Sequence, residues 1–549
     1  MDCLQILTLV NVFTFAEQGT HTLKHAHLRS TLTTDLNSTA QLACGPVNDE
    51  ESQLPKDLKQ SNNPVCNRET CRLPNCYCSE DGTAIPGGLN PDQVPQMVLL
   101  AFSGAVNELV FEQYKKVLGY NNKFVTTQSK LNPNGCGVKA TFFINHEYSN
   151  YAEIQWLATQ GHEIGIHSIT HRLPELWWTD KANYSEWAEE IIGMREILLK
   201  FANGGATTNG VLSRENVVGM RAPYVKPGGD AMFEMAHDFG LLYDSSLVAP
   251  RGNTPLWPFT FDHRQPFSCG ESPNKPENGK DASETSSGTE NAGIGFRGGA
   301  EIRQKRDTLV ESKLSKKKVT QVMKKNLNRK SRVRRENPFL GRPLKCPLKS
   351  FPGLWEVPVN PLFNEFNTCP HADQCVFPSS DETEDPSDIV EFLNENFQRH
   401  YSSNRAPFQV NFHVNWFTSK TKVKALSRFI EHILKTYKDA YFVTFRQMIQ
   451  WMKEPQPLST LNFKCENRTN VSTCNRQHTC VLKHFVDKDG VASTQEASVA
   501  SDVRYMGVCH PTTCPQHYPW YGNHAGAARN LKTVMQLVEE AVGPDEKNS

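Results

Sequence analysis

The sequence predicts an α/β fold, a distorted (β/α) barrel, because apolar strand signals and amphipathic helix signals alternate along most of the chain. The first strand signal is QMVLLAFS, and the helix signal VNELVFEQYKKVLG follows it. The pair recurs as VKATFFIN with YAEIQWLATQG, and again as HEIGIHS with YSEWAEEIIGMREILLKF. Such alternation indicates a parallel sheet with helical crossovers. This many repeats predict a barrel, which we expect to span residues 97–455.

The barrel pattern is interrupted once, by a polar and then strongly basic stretch over 270–345. Its first part is rich in Gly, Ser, Glu and Asn, so we predict a disordered insertion there. The basic part, 303–335, has three interpretations: a solvated linker, a patch for an anionic polysaccharide, or a processing site at RVRR before Glu336. Cys269 and Cys346 flank the stretch, so a disulfide between them would hold a cleaved chain together.

The remaining segments fall outside the barrel pattern. Residues 1–16 have an apolar stretch and a plausible cut after Ala16, which predicts a signal peptide; a buried N-terminal segment is the alternative, since Asp2 is the only charge before the apolar stretch. The other three are a loosely ordered region 17–65, a cysteine-stapled lead-in 66–96 and a cysteine-rich C-terminal extension 456–549. No later run is long and apolar enough to cross a bilayer.

Sixteen cysteines indicate an oxidising compartment, and we predict a secreted protein of the extracellular matrix. No CxxC pairs occur at zinc-ribbon spacing, so disulfides are favoured over a structural zinc site. Loss of Cys3 with the signal peptide would leave an odd number of cysteines, hence one free thiol or one interchain bridge. Four glycosylation sequons start at Asn37, Asn183, Asn467 and Asn470. The formal net charge is zero, which argues against nucleic-acid binding by the whole protein.

Polar motifs follow three of the predicted strands. His167 and His171 end the third strand, the run Arg221-Ala222-Pro223-Tyr224 ends the fourth, and Asn411-Phe412-His413 ends a late one. Functional groups collect at the carboxyl ends of the strands in such barrels. A single histidine pair is more often structural, but three motifs at equivalent strand ends predict a functional site.

The motifs resemble those of a known family, in matching order along the chain. The segments that carry the resemblance are CRLPNCYCSEDGTAIPGGL, NPNGCGVKATFFINHEYSNYA, GHEIGIHSITH, VVGMRAPY, LLYDSSLVAPRGNTPLWPFTFD and NRAPFQVNFHVNWF. Together they are similar to the polysaccharide deacetylases of carbohydrate esterase family 4 (the NodB homology domain), and more narrowly to secreted chitin deacetylases. The resemblance covers residues 66–455 without the insertion, and the C-terminal extension has no recognisable counterpart.

The resemblance implies metal-dependent removal of acetate from N-acetylglucosamine units, usually with zinc. It assigns metal binding to His167 and His171, orientation of the catalytic base to Arg221, and general acid catalysis to His413. It also implies that Tyr224 and Trp257 line the substrate pocket. The base and the third metal ligand are expected to be two adjacent aspartates in a TFDD motif at the end of the first strand.

This chain departs from the family at those two aspartates. It reads Ala101-Phe102-Ser103-Gly104, so Ser103 stands at the position of the base and Gly104 at that of the third ligand. Loss of a general base costs about 10²- to 10⁴-fold in rate, and two imidazoles alone bind zinc weakly, so we expect zinc to be weak or absent. Glu108 and Glu163 are the nearest candidate substitutes, and we expect neither to restore activity. We also expect Arg221, without its carboxylate, to make the cleft more positive.

Three functions follow from these observations. The first is a secreted homologue without deacetylase activity that binds chitin or a related N-acetylglucosamine glycan. The second is an active metal-dependent deacetylase with a substituted metal site. The third is a non-glycan extracellular interaction protein that uses the basic insertion and the cysteine-rich C-terminal tail. An anionic polysaccharide bound by residues 303–335 is a further candidate partner. None involves nucleic acid or a membrane span.

Overall fold

A computed structural model provides the structure of the chain. It describes residues 63–120, 128–204, 210–269, 344–364, 367–377, 385–465, 474, 476–486, 490–492, 500–528 and 534–536. The predicted signal peptide, nearly all of the region 17–65, nearly all of the insertion 270–345, and the sequons at Asn37, Asn467 and Asn470 lie outside these residues. The described residues belong to one compact unit of the chain.

A curled, mostly parallel sheet forms the centre of the fold. Its strands are β1 Gln96–Gly104, β2 Thr141–Asn145, β3 Glu163–Ser168, β4 Gly219–Met220, β5 Tyr243–Asp244, β6 Phe259–Thr260, β7 Trp355–Glu356, β10 Phe408–His413 and β11 Ala440–Phe442. Their order is β10-β1-β2-β3-β4-β5-β7-β6, and β11 also pairs with β1. Among the described strands of this sheet, only β6 and β7 pair antiparallel. The predicted α/β fold, a distorted (β/α) barrel, is therefore confirmed.

Helices cover the sheet, and all but the short α3 lie where the helix signals of the sequence predict them. They are α1 Glu108–Leu118, α2 Tyr151–Thr159, α3 Leu176–Asp180, α4 Tyr184–Phe201, α5 Asp230–Asp238, α6 Ser387–Tyr401, α7 Lys420–Thr436 and α8 Phe445–Lys453. Five of them, α1, α2, α4, α7 and α8, begin with a side-chain cap. Asn183 and Glu186, for example, form a reciprocal capping box at the start of α4. The chain leaves α1 through Gly119, whose φ of 90° suits glycine.

Two layers of apolar packing hold this arrangement together. One lies between sheet and helices and includes Phe102, Phe142 and Trp187; the other fills the inner face of the curled sheet with Phe143, Trp257 and their neighbours. Both faces of β1 are therefore buried, and all but its last residue are buried. A strand covered on both faces reads as a continuous apolar run, which is what QMVLLAFS shows.

Seven disulfides link the described cysteines: 66–78, 71–76, 136–465, 269–346, 369–375, 474–509 and 480–514. They confirm the preference for disulfides over a structural zinc site. The bridge suggested across the insertion, Cys269–Cys346, is present. Cys3 and Cys44 lie outside the described residues, so whether a thiol remains free stays a prediction.

The C-terminal extension forms a hairpin that docks on the barrel. Its strands, β12 Gln477–Val486 and β13 Ala500–Cys509, pair antiparallel, and a separate small ribbon is made by β8 Leu362–Phe363 and β9 Thr368–Cys369. The ring of Tyr518 lies 4.4 Å from that of His146, beyond the end of β2. No helix among the described residues is long and apolar enough to span a membrane.

Candidate functional site

The site lies at the carboxyl edge of the sheet, where β1, β3, β4 and β10 end. Parallel pairing brings these ends together: Ser103 is in register with His413, and Ile166 of β3 with Met220 of β4. Each predicted motif follows one of these positions directly. The three motifs, separated by up to 246 residues in the sequence, thus share one edge, as the barrel argument predicts.

The two histidines of the HSITH motif are adjacent and mostly buried. Their ring centroids lie 4.9 Å apart. Nδ1 of His167 lies 2.8 Å from the carbonyl oxygen of Arg221 and donates to it. The bond leaves Nε2 of His167 with a free lone pair, the usual state of a metal-binding imidazole. Burial lowers the pKa of His167 well below its usual value and that of His171 to about 4, so both rings are neutral at pH 7.

Buried Glu190 holds the backbone of the histidine loop. Its carboxylate accepts hydrogen bonds from the N–H groups of Ile169 and Thr170, at 3.0 and 2.9 Å, and from the Thr170 hydroxyl. It also pairs with Arg172 at 3.1 Å. The guanidinium of Arg172 lies between the rings of Trp177 and Tyr521, at 4.4 and 4.5 Å from their centroids. Helix α4 and the C-terminal extension therefore jointly fix the loop that carries His171.

Arg221 is completely buried at the end of β4. Its Nε and Nη2 donate to the carbonyl and hydroxyl oxygens of Ser245, both at 3.0 Å. Its Nη1 lies 3.4 Å from Oγ of Ser103, the position at which the family resemblance expects a carboxylate. Burial lowers the pKa of Arg221 to about 10, and the guanidinium stays charged at pH 7.

Two further buried carboxyl groups lie near Arg221, and the expectation that the cleft is more positive than in active relatives remains a prediction. Asp244 and Glu356, on neighbouring strands β5 and β7, are buried nearby and favour the charged arginine. Burial raises the pKa of Asp244 to about 6 and that of Glu356 well above its usual value. Two adjacent buried carboxyls that share one proton keep one negative charge. That negative charge favours the charged form of Arg221.

The end of β1 carries no ionisable side chain. Ser103 is 2% exposed, and Gly104 has a φ of 126°, a conformation that side chains disfavour. A Cβ built at Gly104 would lie 3.2 Å from Cβ and 3.3 Å from Cγ1 of Val414. The backbone conformation and the packing at position 104 therefore both favour glycine.

His413 ends β10 directly beside Ser103. Its backbone N–H donates to Oδ2 of Asp373 at 2.6 Å, and its Nδ1 accepts from the N–H of Asn415 at 3.4 Å. The neutral ring therefore carries its proton on Nε2, where it is able to donate. Burial lowers the pKa of His413 and raises that of Asp373 to about 6.

Sequence reasoning missed His371, a further imidazole at this edge. It lies in the short loop closed by the Cys369–Cys375 disulfide. Burial lowers its pKa to about 3, and the charges of Arg221, His413 and His171 act in the same direction. The sequence signal for His371 is the stretch CPHADQC. It follows no predicted strand, so an argument based on strand ends does not select it.

The two predicted pocket aromatics differ in their placement. Tyr224 is half-buried, its ring centroid lies 4.3 Å from that of His171, and its hydroxyl donates to the carbonyl oxygen of His171 at 2.9 Å. Trp257 has no exposed surface. Its indole N–H donates to the carbonyl of Asn404 and its ring stacks on Trp451 at 6.0 Å. The structure therefore does not place Trp257 at the cleft surface, because interior packing uses both its ring and its N–H group.

The residues present do not form a complete site for the zinc ion that the family resemblance implies. In the described part of the chain, two groups of three potential ligand atoms lie within 4.8 Å of one another. Both groups contain disulfide cysteines, and neither contains His167 or His171. The third position is a glycine, so the carboxylate that would complete a three-ligand catalytic set is missing.

Fold and site together define an α/β barrel whose carboxyl edge brings His167, His171, Arg221 and His413 together. No protein-family model matches the chain. Chitin deacetylase 1 of Bombyx mori is 32% identical over 499 residues, which are 88% of this chain and 72% of that protein. Chitin deacetylase 8 of Bombyx mori is 28% identical over 466 residues, 84% of this chain and 93% of that protein.

The chain belongs to the chitin deacetylase group of the polysaccharide deacetylase family. Among solved structures, one assigned as a polysaccharide deacetylase of Mycobacterium smegmatis is 15% identical and covers 69% of this chain and 98% of its own, with a TM-score of 0.31. A score this low adds nothing to the assignment, which rests on the sequence relatives.

Proposed function

We propose that this protein is an extracellular chitin deacetylase homologue that has lost deacetylase activity and binds chitin or a related N-acetylglucosamine glycan. One observation carries the proposal: β1 ends in Ser103 and a left-handed Gly104 at the edge where two imidazoles, Arg221 and His413 converge. A serine hydroxyl is too weak a base to activate water at neutral pH. The seven disulfides support an oxidising, extracellular location.

The carboxylates considered as substitutes have other roles. Glu163 starts β3 at the opposite edge of the sheet, where it accepts from Thr141, Tyr243 and the N–H of Arg446. Glu108 is exposed in the first turn of α1. Asp373, which sequence reasoning did not consider, accepts the backbone N–H of His413. Each would have to leave its partners or its surface position to act as a base.

The remaining groups are suited to binding a neutral sugar. His413 presents an N–H donor, the imidazole of His171 offers a lone pair or an N–H, and Tyr224 offers part of its ring. N-acetylglucosamine has hydroxyl and amide groups that match such donors and acceptors, and its apolar face packs on aromatic rings. A bound glycan would remain intact, because no residue at the end of β1 is able to take a proton from water.

The test is acetate release from N-acetylglucosamine oligomers by the purified protein with added zinc, together with binding of the same oligomers by calorimetry. We expect binding without acetate release. A Ser103→Asp/Gly104→Asp/Val414→Ala triple variant is expected to gain activity, since Val414→Ala removes the Cγ1 atom that would lie 3.3 Å from a Cβ at position 104. The double variant without Val414→Ala is the matched control. Acetate release by the native protein would overturn the proposal.

A second candidate is an active deacetylase with a substituted metal site, and His371 is the observation that favours it. This imidazole lies close enough for its charge to interact with those of His171 and His413. Stoichiometric zinc in the purified protein, lost in His371→Ala, would support this function. Zinc content near zero, with retained glycan binding, would support the first proposal.

A further inference from the structure

Tyr148 lies in the loop after β2, beside the end of β1. The loop is bonded to the segment that follows β1: the N–H of Asn150 donates to the carbonyl of Val106 at 2.6 Å, and the N–H of Val106 lies 3.4 Å from the Ser149 hydroxyl. Within β2, Ile144 is in register with Gly104. Tyr148 is thus four residues beyond the strand position that neighbours the candidate site.

The backbone of Tyr148 is held in a conformation that tyrosine disfavours. Its φ is 64°, and left-handed backbone costs about 1–2 kcal/mol for a residue with a side chain. Bonds on both sides fix the turn: the N–H of Ser149 donates to the carbonyl of His146 at 3.1 Å, and the Ser149 hydroxyl to that of Asn145 at 2.6 Å. Such strain persists where surrounding structure imposes it, and it is often associated with function.

The strained turn leaves the aromatic ring of Tyr148 in solvent. Its side chain is 64% exposed, so burial in the core gives nothing to offset the strain. The C-terminal extension fixes the ring instead. Nη1 of Arg504, on β13, donates to the Tyr148 hydroxyl at 3.2 Å, and the guanidinium carbon lies 5.8 Å from the ring centroid.

Arg504 is itself held rigidly. It forms ion pairs with Glu147 at 2.6 Å and with Asp502 at 2.9 Å. The aromatic ring is therefore exposed and oriented by Arg504, and it lies in the loop that follows β2 at the carboxyl edge of the sheet. A rigid aromatic platform of this kind loses little entropy when a ligand stacks on it.

We propose that Tyr148, clamped by Arg504, is an outer sugar-binding position for a β-linked N-acetylglucosamine chain whose central unit occupies the candidate site. The inference rests on the proposed glycan-binding function. It gives the C-terminal extension a defined part in binding: β13 orients an aromatic ring supplied by the barrel. Short oligomers that fill only the central position would not reach Tyr148, whereas longer chains would.

The test is calorimetric binding of the N-acetylglucosamine dimer and hexamer to the full chain and its variants. Tyr148→Asn removes the ring and suits the left-handed backbone, because asparagine tolerates a positive φ. We expect it to weaken hexamer binding about tenfold, the effect of losing one important contact, without changing dimer binding or lowering the melting temperature. Tyr148→Phe keeps the ring and is expected to retain hexamer binding within about threefold.

Tyr505 provides the matched control, because it is equally exposed at 64% but lies on β13 itself. Tyr505→Asn is expected to leave both affinities unchanged. Hexamer affinity of Tyr148→Asn within twofold of the native protein would overturn the inference, as would an equal fall for dimer and hexamer. If the native protein binds neither oligomer, the proposed function fails as well, and that outcome is distinct from a loss that depends on chain length.

Discussion

Val414 stands where a side chain at Gly104 would have to be: a Cβ at position 104 would lie 3.2 Å from the Cβ of Val414. Restoring the expected carboxylate would therefore need more than one substitution. The φ of 126° at position 104 and its close contact with Val414 both favour glycine there.

This contact makes Gly104→Ala a sensitive probe. We expect the substitution to destabilise the protein by about 1–3 kcal/mol, since both a strained backbone and a close contact result. Urea unfolding measures the loss. In the Val414→Ala background the contact with Cγ1 at 3.3 Å disappears, while the contact with Cβ at 3.2 Å and the backbone strain remain, so the cost of Gly104→Ala should be somewhat smaller there. Equal costs in both backgrounds would show that Cγ1 of Val414 does not restrict position 104.

Zinc should not stabilise the native protein. A ligand that binds the folded state raises the melting temperature in proportion to its binding free energy, and the described residues offer His167 and His171 no third ligand atom within 4.8 Å. We expect thermal unfolding curves in zinc and in a chelator to coincide within about 1 °C. The Ser103→Asp/Gly104→Asp/Val414→Ala variant should show a clear shift. A zinc-dependent shift in the native protein, removed by His371→Ala, would point to a substituted metal site.

Glu190 should be critical for the histidine loop. Glu190→Ala removes the acceptor for two backbone N–H groups and leaves Arg172 without its ion partner. Breaking a buried pair of this kind costs roughly 3–5 kcal/mol. Chemical unfolding measures the stability, and oligomer binding reports the loop. Glu196→Ala is the control. Glu196 is on the same helix as Glu190 and forms a partly exposed ion pair with Arg214, so its removal should cost about 1 kcal/mol or less.

Stability should depend on pH through Glu189, which is 3% exposed and accepts the N–H groups of Val534 and Gly522. Burial raises its pKa from 4.5 to about 7. Because the folded state binds this proton more tightly than the unfolded state, the contribution of Glu189 to stability falls as the pH rises from about 4.5 to about 7.

Glu189→Gln should remove the part of the pH dependence of stability that comes from Glu189. Other buried carboxyls, such as Asp244, titrate in the same way in the variant and in the native protein. Urea unfolding between pH 4.5 and 8 gives the comparison. The difference in unfolding free energy between variant and native protein should shift by up to roughly 3 kcal/mol over this range. A constant difference would mean that Glu189 titrates normally.

The bridge between Cys269 and Cys346 should keep a cleaved chain in one piece. After limited proteolysis within 270–343, we expect one band without reductant and two bands with it. Because the Cys136–Cys465 disulfide also joins the two sides of this cut, the bridge is tested in the Cys136→Ser/Cys465→Ser variant, which should give the same result as the native protein. A variant that lacks both bridges should give two bands under both conditions. Two bands without reductant from Cys136→Ser/Cys465→Ser would contradict the Cys269–Cys346 bridge.

The sequence predicts the barrel because β1, β2, β3 and β10 and their helices carry strong apolar patterns. It also predicts which motifs meet, since parallel strands end at one edge. It does not predict the burial of Trp257, because an aromatic signal is the same in a pocket and in a core. His371 was missed because a disulfide loop, not a strand, brings it to the edge. The contact of Arg504 with Tyr148 was not predicted either, because the two residues are 356 positions apart in the sequence.

Strand β1 lies between β2 and the two strands β10 and β11. A ribosome delivers β2 soon after β1, but the partners on the other side arrive about three hundred residues later, after the insertion. Until then one edge of the apolar strand β1 stays unpaired in the growing chain, which favours aggregation. Cys136 likewise has no native disulfide partner until Cys465 is synthesised. Biosynthesis of this protein should therefore depend heavily on chaperones and on the timing of thiol oxidation.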